Sequence, residues 1–335
     1  MAIEKFYPVQ KLNTNITLSF KKIISSDIYS NIESGLENEI RLKDIEEHIS
    51  DVASIVRDPL TGKDVVTLSV AYCQFFWLIA DVSLKTLDRL IIEESSTAAG
   101  CTIQQFRQCI ENINTKQGDS QYIDWTQYVN IDVNKYLSYL QTVPEILVDD
   151  FWKQMDEEYA HALSIISPNM DIDIEAIKAY DIKSKYHERV NAVYCYGIAF
   201  ILLHELSHHA LGHMSIELQK DDEENADMSA FWSIFSDITG EERFSANVGM
   251  LLVFYSFMYL NPDLTEDDAH PREDKRLFAV FDEIVDENEK YTTLVVKCLD
   301  FWAKLKDIQD YPLNLPCKKE SIKTIKDFFN NLGKQ

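Results

Sequence analysis

His204-Glu205-Leu206-Ser207-His208 sets two imidazoles four residues apart, with an acid directly after the first. On an α-helix such positions share a face about 6 Å apart, close enough for both rings to bind a single tetrahedral Zn2+. Glu205 then lies beside the metal rather than on it. Zinc lowers the pKa of a bound water toward ~7, and a neighbouring carboxylate can take that water's proton as attack on a peptide carbonyl begins. The spacing therefore predicts His204 and His208 as ligands and Glu205 as the catalytic base.

The elements that must position these groups are legible around them. Ala192 to Leu203 is an unbroken apolar run that enters the motif and reads as a buried core helix, with Gly212 as its end. Polar residues on such a helix must be paired or metal-bound, because an unsatisfied buried polar group costs roughly 1 to 3 kcal/mol. The third ligand is expected from residues 221–235, which open with acids suited to a helix N-terminus and continue as an apolar body. Glu223 and Asp227 share a face with Ala226 and Ala230, small residues that allow close approach to the first helix. Glu224 competes with Glu223, since Met228, Phe231, Trp232 and Phe235 leave the buried face open by one residue. Asp227 is expected to accept a hydrogen bond from the far nitrogen of a ligand imidazole.

Taken together, His204–His208, then Glu223-x-x-Ala226-Asp227, then His270-Pro271 with Arg276, resemble the gluzincin layout of HtpX-like peptidases. The stretch His204 to His213, ending Leu-Gly-His, is similar to ImmA-like peptidases and to Lit-type phage-exclusion peptidases. The resemblance covers about residues 190–285 and implies a zincin-like metallopeptidase core holding Zn2+. It selects Glu223 over Glu224. It also gives His270 a second catalytic role near the metal, where an imidazole N–H aimed at the developing oxyanion is worth a few kcal/mol. The plainer alternative is a turn histidine in the polar loop Asp263–Asp274. Arg276 is expected to support that loop by pairing with carboxylates. The implied enzyme is regulated and narrow in specificity, of the phage-exclusion or stress-regulatory kind. It would cut a protein or peptide substrate, with an activating protein or peptide as a further partner.

Composition bounds the rest. Only 9 glycines and 8 prolines in 335 residues argue for long helices, hence a mainly α (α+β) protein with a small β-sheet beside the active helix and a helical N-terminal region. Strands are expected over 12–26, 64–70 and 171–175, a turn at 58–63, a core helix from Thr67 to Ile92, and a loop over Glu93–Gly100. The chain divides into an N-terminal sensor or docking region over 1–145, a metallopeptidase domain over 146–290 and a helical extension over 291–335. A net charge of −24 excludes general nucleic-acid binding. Unlike HtpX-like peptidases, the chain has longest apolar runs, Ala192–Leu203 and Val248–Leu260, shorter than the ~18 to 20 residues of a membrane span. Six cysteines without framework spacing, Cys73 and Cys195 among them reading as packed thiols, and an N-terminus without a signal-peptide core, fit a cytoplasmic setting. His209 and His213 read as surface residues or as outer support for the ligands. The competing function is a sensor with a structural zinc site, against which Glu205 argues, since a structural site needs no base.

Overall fold

The computed structural model describes residues 36–43, 52–57, 64–98, 100–105, 144–166, 185–213, 218–235, 238–266, 270–284 and 289–332, together with positions 9, 12, 16, 60, 62 and 107. Three strands, β1 (Leu36–Lys43), β2 (Ala53–Arg57) and β3 (Asp64–Ser69), form one sheet in the order β1-β3-β2. β1 runs parallel to β3, with Ile40 opposite Val66, while β2 is antiparallel to it, with Ala53 opposite Leu68. The central strand matches the expectation for 64–70. The flanking two were not expected, because sequences such as LENEIRLK lack the unbroken β-branched character that marks a strand. The expected strand at 171–175 lies outside the described residues. Of the one at 12–26 only Leu12 and Ile16 lie within the described residues, and there it is corrected: both are helical and buried, as is Val9, and their i, i+3, i+7 spacing is that of one helix face.

Ser69 ends β3 and starts α1 (Val70–Ala98), its hydroxyl accepting from the Tyr72 N–H at 3.3 Å. This helix starts three residues later than predicted from Thr67 and runs through the segment expected to be a loop. Arg89 pairs with Glu93 one turn on at 2.7 Å, and Ser96 and Thr97 donate back to Ile92 O and Glu93 O, so the polar end stays helical. Gly100, at φ 66°, closes it, with the Cys101 N–H reaching back to Ser96 O at 2.9 Å.

The remaining helices are α2 (Phe151–Ile166), α3 (Lys185–Ala210), α4 (Lys220–Phe235), α5 (Gly240–Leu260), α6 (Glu273–Ile284), α7 (Glu289–Leu305) and α8 (Lys319–Leu332). The chain is thus mainly helical with one small sheet, and a single buried core runs from β3 to α8. α3 is its axis: it packs on α1, α4 and α5, and β2 lies against it at the edge of the sheet. Trp77 Nε1 donates to Asn191 Oδ1 at 3.0 Å, and Arg189 pairs with the buried Asp88 at 3.0 Å, which pins the start of α3 to α1.

α3 and α5 cross almost backbone to backbone. A Cβ on Gly249 would stand 2.6 Å from Val193 O and 2.8 Å from Gly197 N, so only glycine fits there. α3 is also longer than the apolar run that suggested it. Over Tyr186–Ala210 it is long and apolar enough to cross a membrane, which corrects the expectation drawn from shorter runs, but its apolar stretch is 72% buried inside the protein.

Candidate metal centre

The last two turns of α3 carry His204 and His208, and α4 lies antiparallel beside them, so that His204 faces Asp227 and His208 faces Glu223. Ala226 and Ala230 are fully buried in the contact, and Ser207 donates to Ser229 at 3.0 Å across it. The two Nε2 atoms stand 3.1 Å apart, His208 Nε2 is 3.2 Å from Glu223 Oε1, and His204 Nε2 is 3.4 Å from Glu223 Oε2. All three side chains are buried, and their donor atoms form the one group among the described residues able to hold a metal ion. Glu224, one residue on, is exposed. The small residues of α4 set which acid faces inward.

Three atoms each bonded at about 2.0–2.1 Å to one tetrahedral ion stand about 3.3–3.4 Å apart. The separations seen here, 3.1, 3.2 and 3.4 Å, the last two measured to different oxygens of Glu223, lie close to that range. Two imidazole nitrogens and a carboxylate oxygen also suit zinc by donor type, so the residues present fit the ion that the motif implies.

Asp227 joins the cluster from outside. Its Oδ1 lies 2.9 Å from His204 Nδ1, close but off the line of the ring N–H, so that this nitrogen has no aligned acceptor. Both oxygens of Asp227 accept from Arg276, Nε and Nη2 at 2.7 Å each, and Arg276 Nη2 also stands 3.4 Å from Glu223 Oε2. The guanidinium lies over the Phe254 ring, 5.0 Å from its centroid. Sequence alone could not name the partner of Arg276 among so many acids. The structure brings it from α6 to the Asp227 of α4, rather than to the loop beside it.

Electrostatics follow from this packing. Burial would push Asp227 up, but the Arg276 charge and its hydrogen bonds hold the carboxyl below its ordinary value. Burial likewise opposes ionisation of Glu223, yet contacts from His204 and His208, reinforced by Arg276, hold it well below the usual carboxylate range. His204 is raised to about 9: burial disfavours the charged ring, and Asp227 and Glu223 outweigh it. Among the carboxylates Glu205 moves opposite to Asp227 and Glu223. Its burial raises its pKa, with the two histidines pulling back only partly.

His270 is the outermost of the expected residues. Its Nε2 lies 3.8 Å from Glu223 Oε1 and its side chain is 55% exposed, which puts it at the open side of the triangle. His213, read from sequence as surface or outer support, is buried against His208: its Nδ1 is 3.0 Å from His208 Nδ1 and its Nε2 is 3.3 Å from Asp222 Oδ1. The available signal was Gly212, whose φ of 79° turns the chain back over the end of α3.

These features define a class: a mainly helical protein whose central helix carries a buried, metal-competent donor set with a desolvated acid beside it. Comparison with protein families is more specific. The Peptidase U49 family model matches residues 66–296, about two thirds of the chain and all of the centre just described, and the chain belongs to that family. It is accordingly a peptidase. No curated protein and no solved structure matches it.

Proposed function

We propose that the chain is a zinc-dependent endopeptidase of the gluzincin kind, with a zincin-like core, in which His204, His208 and Glu223 hold the metal and Glu205 is the general base. The convergence of the two Nε2 atoms on the Glu223 carboxylate, with separations of 3.1, 3.2 and 3.4 Å, carries the reading. Charge supports it as well. With both ligand imidazoles neutral, as metal binding requires, ionised Glu223 and Asp227 against Arg276 leave one negative charge in the buried cluster; a divalent ion, displacing the proton that His204 otherwise holds, overcompensates by one, and ionised Glu205 restores neutrality.

Zinc, when bound, supplies a Lewis acid that acidifies water and polarises the scissile carbonyl. Glu205, raised by burial toward the pH at which it works, takes the proton from the attacking water and returns it to the leaving amine. His270 donates its ring N–H to the oxygen that becomes negative. Asp227 places its charge beside His204 Nδ1, and Arg276 holds Asp227. β2, at the edge of the sheet and against α3, is where an extended substrate would add as a further strand.

The substrate is a specific protein, as the resemblance to Lit-type peptidases implies, and a phage-exclusion or stress-regulatory role in the cytoplasm follows from the same resemblance. Residues 1–145 would dock the substrate or an activator; α1, within that region, packs directly on the helix that carries the ligands. Incubating wild type and Glu205→Gln with a host lysate and mapping new N-termini tests the function. Cleavage should fall about 10²- to 10⁴-fold in the variant, with zinc content equal in the two. Zinc in both but no terminus that depends on Glu205 would favour the structural-zinc sensor instead.

A further inference from the structure

We infer that His213 and Asp222 are positioning residues that fix the tautomer and aim of His208, an inference that rests on the zinc-site reading above. The argument starts from the two ends of the His208 ring. Nε2 faces His204 Nε2 and Glu223, so a metal bound there needs the Nε2 lone pair, and the ring proton must sit on Nδ1. That nitrogen is 3.0 Å from His213 Nδ1. Two protons cannot share the gap, so His213 accepts at Nδ1 and carries its own proton on Nε2, the atom 3.3 Å from Asp222 Oδ1. The sequence of contacts therefore has a single consistent assignment: the Asp222 carboxylate stands beside the His213 N–H, His213 accepts from His208, and His208 presents a lone pair inward.

Asp222 is itself anchored. Its second oxygen accepts from the Gln219 N–H at 3.0 Å, ahead of α4, and the next residue is Glu223. One carboxylate thus ties the turn after α3 to the start of the helix that brings the third ligand. The two histidines are held by different means: His204 has a carboxylate directly beside Nδ1, whereas His208 reaches one through a second imidazole. Outer partners of ligand histidines raise ligand basicity and restrict ring rotation, and their loss lowers metal affinity by roughly 10- to 100-fold. His213 is buried, so water does not replace it freely.

The test uses the full chain and Zn2+ alone as probe, with affinity measured by competition against a chromophoric chelator. His213→Phe, which keeps the ring volume and removes the acceptor, should weaken zinc binding by about 10- to 100-fold. His213→Asn should recover most of that loss, because its Oδ1 can accept where the imidazole Nδ1 did. Asp222→Asn should fall between wild type and His213→Phe. Imidazole 15N spectra of the zinc-loaded wild type should show His208 protonated at Nδ1 and His213 at Nε2, a readout that remains if a variant does not fold. Wild-type affinity in His213→Phe, equal losses in the Phe and Asn variants, or the opposite tautomers would overturn the inference while leaving the zinc site standing. Wild type that binds no zinc would instead remove the reading beneath it.

Discussion

The two halves of α3 solve the same burial problem in opposite ways. Val193, Gly197, Ile201, His204 and His208 recur at i, i+4, i+8, i+11 and i+15, which is one stripe of the helix. In its first half that stripe is closed by removing side chains, Gly197 and Gly249 letting two backbones touch. In its last two turns it is closed by donors that must each find a partner; α4 and the turn after α3 supply them, and Arg276 of α6 holds Asp227 in place. Phe254 spans both regimes: its ring meets Phe200 edge to face, with centroids 5.4 Å apart, and supports the Arg276 guanidinium. The rigid half gives the polar half fixed coordinates, which a site of three converging donors requires.

The sharpest way to break this contrast is at the polar half. Arg276→Ala leaves Asp227 buried without its cation and should cost about 3–5 kcal/mol of stability, read by urea unfolding of the metal-free protein. A loss below about 1 kcal/mol, the size of an exposed pair, would mean that the pair does not support the site. Next in size, Gly249→Ala pushes a methyl into the carbonyl of Val193 and should cost about 1–3 kcal/mol, with zinc affinity of the folded protein unchanged. Weakened zinc binding without loss of stability would contradict the division of labour between the halves.

The smallest effect concerns Cys195, in the apolar half. Burial pushes its thiol up to about 12, so at neutral or mildly alkaline pH the folded chain holds less thiolate there than the unfolded chain, and the deficit closes only as pH rises toward that value. Alkylation followed by mass spectrometry should therefore be much slower at Cys195 in native than in denatured protein. Equal rates would mean that the helix is open at that point.

How much of this was legible beforehand differed between the halves as well. The juxtaposition in the polar half was readable because i, i+4 spacing puts two residues on one helix face: His204 and His208 on α3 meet Glu223 and Asp227 on α4. The choice between Glu223 and Glu224 was not readable from residue types, since α4 carries apolar side chains on both flanks; packing on α3 through Ala226 and Ala230 decides it. The partner of Arg276 and the His213–Asp222 contact depend on how chain turns bring distant residues together, which no local pattern encodes. The helical end of α1 was hidden because its Ser and Thr residues suit loops and caps, whereas here they donate back to the preceding turn.

The most direct test is the metal content of wild type, Glu223→Ala and Glu224→Ala after equilibration with zinc and removal of excess. One tightly held Zn2+ per chain in wild type and in Glu224→Ala, lost or strongly weakened in Glu223→Ala, is the expected result. A wild type that retains no zinc, or a Glu223→Ala protein that holds it as tightly as wild type, would contradict the centre described here.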